Sequence, residues 1–105
     1  MPTFADRERE FENRFKHDQD LQFKVKARRN RLLGMWAAAR MGLSGDAAGD
    51  YAKEVVEAEF HGGDHHIVDK LVADLAAKGE HVTAAQVQFQ LHHFADEAKK
   101  QVMRE

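Results

Sequence analysis

The densest set of ligand-forming side chains is His61-Gly-Gly-Asp64-His65-His66. Imidazole and carboxylate suit zinc or nickel. The spacing argues against a site. His65 and His66 are sequence neighbours and point different ways on a helix, and two glycines separate His61 from Asp64, so no ligand geometry is fixed. The expectation is a polar loop leading into a helix, with no metal and no cofactor. His92 and His93 are likewise adjacent and cannot share one helical face. Arg28, Arg29 and Arg31 form a second cluster. Guanidinium groups hold phosphate or a carboxylate-rich surface; the alternative is a solvated basic face on a long helix. No Gly-rich phosphate loop follows a strand, there is no Cys, and no Ser, His and Asp fall at a readable catalytic spacing. Glu57 and Glu59 read as surface acids. The chain carries no recognisable enzyme site.

At 105 residues the chain is one small domain. Its net charge of −2 hides an asymmetry. Residues 1–41 hold ten Lys/Arg against six Asp/Glu, a net +4, and residues 42–105 hold six against twelve, a net −6. The split suggests charge-steered docking of the N-terminal half. It disfavours nucleic acid, since an acidic body repels phosphate. The seven His predict that the charge rises noticeably below about pH 6.5, which would tune such docking. The longest apolar-rich uncharged run, residues 32–39, is too short to span a bilayer, and the charged N-terminus is not a secretory signal. A cytoplasmic protein, monomeric when free, is expected.

Glycines at 42, 45, 62, 63 and 79 and helical periodicity between them divide the chain. The spacing predicts helices over about 18–41, 45–60, 65–78 and 84–104, each with an apolar stripe, and no strand. Leu21, Val25, Leu32, Leu33, Trp36 and Ala37 line the first, and Gly42 stops it. Gly34 in mid-helix implies close approach of a neighbour beside Trp36. The second follows Ser44 as N-cap and buries Tyr51, Ala52, Val55, Val56 and Phe60. The third follows Asp64 as N-cap and buries Ile67, Val68, Leu71, Val72 and Leu75. The fourth opens on a Thr83/Gln86 capping box with Val82 and Val87 as a hydrophobic staple, and buries Val87, Leu91, Phe94, Ala98 and Val102. Short connections place sequential helices side by side in a small all-α four-helix bundle.

Residues 1–17 stand apart. Thr3 and Asp6 have capping-box spacing, and Gly and Pro are absent from residues 3–33. Ten of the seventeen residues 4–20 are charged, in mixed sign. Glu10–Arg14 and Glu12–Lys16 have the spacing of i,i+4 pairs, each worth about 0.2–0.5 kcal/mol. The large apolar surface comes from Phe4, Phe11 and Phe15, whose spacings of seven and four put them on one helical face. Such a helix is marginal in water without a partner. The pattern reads as a helix-prone segment whose aromatics are anchors for a groove on another protein, with Arg7, Glu8, Glu12 and Arg14 at the rim. A body starting at residue 18 is expected to fold without it.

The stretches FADREREFENRF, QFKVKARRNRLLGMWAA, DYAKEVVEAEF and VADLAAKG resemble the zeta subunit family of the α-proteobacterial F-type ATP synthase. The resemblance covers most of residues 3–79 and is specific in its first two stretches. It implies an endogenous inhibitor of ATP hydrolysis by a bacterial synthase, peripheral to the inner membrane. It further implies that residues 3–17 are mobile in the free subunit, insert as a helix at a catalytic interface, between the α and β subunits and against γ, and block hydrolytic rotation while the four-helix body stays outside. Weak binding of ATP or ADP to the free bundle is compatible with it. Two other readings stay open on the residues alone: a nucleotide-binding or sensing module using Arg28, Arg29 and Arg31, and an adaptor for another complex using the same mobile helix.

Overall fold

The computed structural model describes residue 1 and residues 3–105. The described residues form five α-helices and no strand: α1 (Phe4–His17), α2 (Gln19–Arg40), α3 (Gly45–Ala58), α4 (Gly63–Ala77) and α5 (Ala84–Met103). A 3-10 turn, Glu59–His61, joins α3 to α4. The four-helix expectation is therefore one helix short, because residues 4–17 are helical and packed on the rest of the molecule.

α2 is the spine, packed most extensively on α3 and α5, with α4 lying against α5 and the 3-10 turn. Leu33, Ala37, Val55, Ile67, Leu71, Leu75 and Val87 are fully excluded from solvent and make the main core. A smaller cluster of Phe11, Leu21, Val25, Ala98 and Val102 sits where α1 meets α2 and α5.

Helix ends follow local chemistry. Thr83 Oγ1 accepts from Gln86 N (3.1 Å) and Gln86 Oε1 accepts from Thr83 N (2.8 Å), closing the capping box of α5. α2 ends as its glycine demands: Gly42 takes φ +79°, and Leu43 N returns to the Ala38 carbonyl (2.9 Å). Two caps differ from expectation. Ser44 precedes α3 without a side-chain cap bond. Asp64 lies inside the first turn of α4, whose N-cap is Gly62, because the acid is drawn to Arg29 on α2. One stripe position differs outright: Phe60 is 66% exposed, because the 3-10 turn breaks the helical phase carried by Tyr51, Ala52 and Val55, while Leu32, Trp36, Val56, Val72 and Phe94 are half-buried at the edges of their stripes. Phe60 instead meets Phe23 of α2, ring centroids 5.6 Å apart, on the surface.

Gly34 is where α2 and α3 touch backbone to backbone. A Cβ at this position would lie 2.6 Å from Ala52 Cα and 3.2 Å from Val55 Cγ2. Gly34→Ala must push the two helices apart. The expected loss is about 1–3 kcal/mol, exceeding the ~1 kcal/mol that alanine gains in helix propensity. Chemical denaturation would show a lowered midpoint; a raised one would mean that α3 does not sit there. Trp36, beside it, is only half-buried against the core, with Arg40 stacked 5.3 Å from its ring.

Polar links tie the helices across the core. Tyr51 Oη donates to Asp74 (2.8 Å), and Lys70 bridges Asp74 (2.9 Å) and Glu54 (3.3 Å). Burial, then the bond to Asp74, pushes the Tyr51 phenol well above its ordinary range. Burial alone lowers the Lys70 pKa, but Asp74 and Glu54 outweigh it and the net shift is upward. At the far end, Glu105 accepts from Lys24 (2.6 Å) and from Arg28, clasping the end of the chain to α2. Lys24 first, then Arg28, hold its carboxyl below the usual carboxylate range. A depressed carboxylate pKa contributes stability that is complete above the unfolded value and is lost as pH falls through the folded one. Glu105→Gln should therefore melt earlier than the parent at pH 7 and together with it in strong acid; equal melting at pH 7 would show the clasp to be idle.

Candidate functional site

α1 is built as its sequence suggests. Thr3 Oγ1 accepts from Asp6 N (3.2 Å) and Asp6 Oδ2 accepts from Thr3 N (3.1 Å), closing its capping box. Asp18 separates α1 from α2 in an extended conformation (φ −108°, ψ 103°) and caps α2 by accepting from Leu21 N (3.1 Å). Gln22 Nε2 donates back to the carbonyls of Phe15 (2.7 Å) and Lys16 (3.3 Å), satisfying two acceptors at the end of α1.

The three aromatics of α1 have different fates. Phe11 is 6% exposed, inserted among Leu21, Val25, Ala98 and Val102. Phe15 is half-buried beside it, ring centroids 6.3 Å apart. Phe4 is 56% exposed. Arg7, Glu8 and Arg14 are exposed along the helix. Glu12 reaches Lys99 of α5 (3.4 Å) across the interface, not Lys16 along its own helix. Lys99 Nζ also lies 4.4 Å from the centre of the Phe15 ring. A shallow cleft runs along this seam, lined by Glu8, Phe11, Glu12 and Asp96, Lys99, Lys100, Met103. Residues 1–17 were expected to stand clear of the body; the described part of them is docked on it through Phe11 and Phe15.

The three arginines are not brought together. Arg28 bonds Gln101 (3.2 Å) and Glu105 at the end of the chain. Arg29 is 6% exposed and faces inward. Its Nη2 donates to Asp64 (2.7 Å) and Glu59 (3.3 Å), and its Nε donates to Asn30 (2.9 Å). Asn30, fully buried, donates to the same Glu59 oxygen (3.2 Å), and Lys26 pairs with the other oxygen (3.3 Å). Arg31 is exposed. The guanidinium best placed for a bidentate anion is thus occupied by the protein's own carboxylates, which rivet α2 to the 3-10 turn and α4. In the histidine loop, His61 and His66 rings approach to 6.4 Å and His65 lies 3.3 Å from Asp69. Among the described residues no group of three His, Cys, Asp or Glu is placed to hold a metal ion. No helix among them is long and apolar enough to cross a membrane.

Lys99, Gln22 and the buried role of Arg29 are what sequence reasoning missed. Lys99 shares α5 with no motif, and nothing local marks it as the partner of a helix more than eighty residues earlier. For Arg29 a faint signal exists: Asn30 beside it interrupts a basic run at a core-facing register.

No curated protein matches the chain. A protein solved by solution NMR is similar: 40% identity, TM-score 0.70, with the match covering 80% of this chain and 96% of that one. A family model described as ATPase inhibitor subunit zeta matches residues 1–101, which takes in α1, the Arg29 node and all of the Phe11 seam but Val102 and Met103. The match runs through α1 and the body alike, and the chain belongs to the ATPase inhibitor subunit zeta family.

Proposed function

We propose that this chain inhibits ATP hydrolysis by a bacterial F-type ATP synthase by placing α1 as a plug in the synthase head. The observation that carries the reading is α1 itself: a capped, charged helix with Phe4, Phe11 and Phe15 on one face, joined to the rest by a single non-helical residue. Membership of an inhibitor subunit family supports the target. α1 leaves the body, enters a catalytic interface between the α and β subunits and against γ, and blocks hydrolytic rotation. Phe4, Phe11 and Phe15 fill the groove; Arg7, Glu8, Glu12 and Arg14 pair at its rim. Residues 18–105 remain outside as an anchoring domain. The chain does no chemistry of its own, takes no cofactor, and works on the cytoplasmic side of the inner membrane through the synthase.

No specific observation favours the nucleotide-sensing or adaptor readings. The test is a titration of ATP hydrolysis by the isolated synthase head with the full chain, alongside capture from a bacterial lysate. Saturable inhibition with α, β and γ recovered on the chain supports the proposal. Hydrolysis unaffected at any concentration refutes it.

A further inference from the structure

The body and the proposed target make claims on the same side chains. Phe11 is buried among Leu21, Val25, Ala98 and Val102, and Phe15 is half-covered beside it. Lys99 holds both chemistries of α1 at once: its ammonium lies 3.4 Å from Glu12 and 4.4 Å from the Phe15 ring centre. The remainder of α1, from Phe4 to Glu10, is exposed. A helix secured by one buried aromatic, one half-buried aromatic, one lysine and the Gln22 amide at its last turn opens far more readily than the main core.

Resting on the plug reading above, we infer that docked α1 is an autoinhibited form of the inhibitor, with Lys99 as its latch, so that the body competes with the synthase for Phe11 and Phe15. The target takes only the open form. Its apparent dissociation constant is then the intrinsic one divided by the open fraction, and any change that loosens the latch tightens inhibition in proportion. Lys99 acts through α1 and is a positioning residue. It sits at the edge of the seam, outside the main core, so its replacement leaves the fold intact.

The experiment compares the full chain with Lys99→Gln and Lys99→Arg. Hydrogen exchange of the α1 amides is read without any synthase, and inhibition of ATP hydrolysis is titrated on the synthase head. An exposed ion pair and a partly exposed cation–π contact together set the scale at about fivefold. Lys99→Gln should exchange α1 about fivefold faster and inhibit about fivefold more tightly, with α2–α5 amides unchanged. Lys99→Arg keeps the charge and the ring contact and should match the parent in both. Unchanged α1 exchange in Lys99→Gln overturns the latch. Faster exchange with unchanged or weaker inhibition overturns the autoinhibition alone. A parent chain that does not inhibit removes the plug reading and the autoinhibition with it.

Discussion

Deleting residues 1–17 should abolish inhibition of ATP hydrolysis and leave a folded, cooperatively melting body. The main core draws nothing from α1: Leu33, Val55, Ile67, Leu71, Leu75 and Val87 all belong to α2–α5. The deletion does uncover Leu21, Val25, Ala98 and Val102, so melting should fall by several degrees. The point substitutions separate stability from function. Phe11→Ala removes a buried ring, but its cost to the body cannot exceed the free energy that docks α1, since the helix can simply let go. At the target the same ring is a hot-spot anchor, and truncating one typically costs 2 kcal/mol or more, roughly thirtyfold in affinity. Freeing α1 returns about fivefold or more of that loss, so Phe11→Ala should weaken inhibition by up to about sixfold net, whereas Glu10→Ala, at an exposed position, should change little. The measurement is hydrolysis by the synthase head with each variant added. A truncated chain that inhibits as well as the intact one would mean that the body acts directly.

Arg29→Ala should be the most damaging single change to the body. It strips Glu59 and Asp64 of their shared guanidinium and leaves Asn30 Oδ1 without its donor in a fully buried position. Breaking a buried pair by removing one partner costs about 3–5 kcal/mol, and the exposure of Asp64 places this site at the lower end. For a chain of this size about 3 kcal/mol lowers the melting temperature by roughly 12–20 °C. Arg29→Lys keeps the charge but not the fork, and should recover only part of the loss. Thermal melts at pH 7 decide it. A drop under about 4 °C would mean that Lys26 alone holds Glu59 and that the node is dispensable.

What the sequence made legible was what neighbours in sequence decide. Thr3 with Asp6 and Thr83 with Gln86 form their capping boxes three residues apart, and Gly34 marks a close approach because no other residue type fits against Ala52. The alternation of Ile67, Val68, Leu71 and Leu75 needs only the helical period. The misreadings came from partners far along the chain. Arg29 looks solvated until Glu59 and Asp64, thirty and thirty-five residues on, fold over it. Phe60 looks buried until the 3-10 turn rotates it off the stripe. α1 looked unattached because its groove is assembled from the start of α2 and the end of α5, which meet only in the folded molecule. In the candidate site, the residue types of α1 were legible, but the docked state and Lys99 were not.

The joint at Asp18 sets how far the inhibitor extends. One residue lets two helices change direction but gives the leash no slack. A fourteen-residue helix is about 21 Å long, so as a helix α1 carries Phe4 no farther than about that from Asp18. Under the proposed mechanism Asp18 must then stand at the mouth of the groove, and the start of α2 must press against the wall of the head. The chain, α1 included, measures 51 × 26 × 23 Å, broader in every direction than the roughly 10–12 Å that a single helix occupies. Under that mechanism the body would act as a doorstop: its girth would fix the depth of insertion, and each full stroke of the plug would end with the same stretch of α2 seated on the synthase.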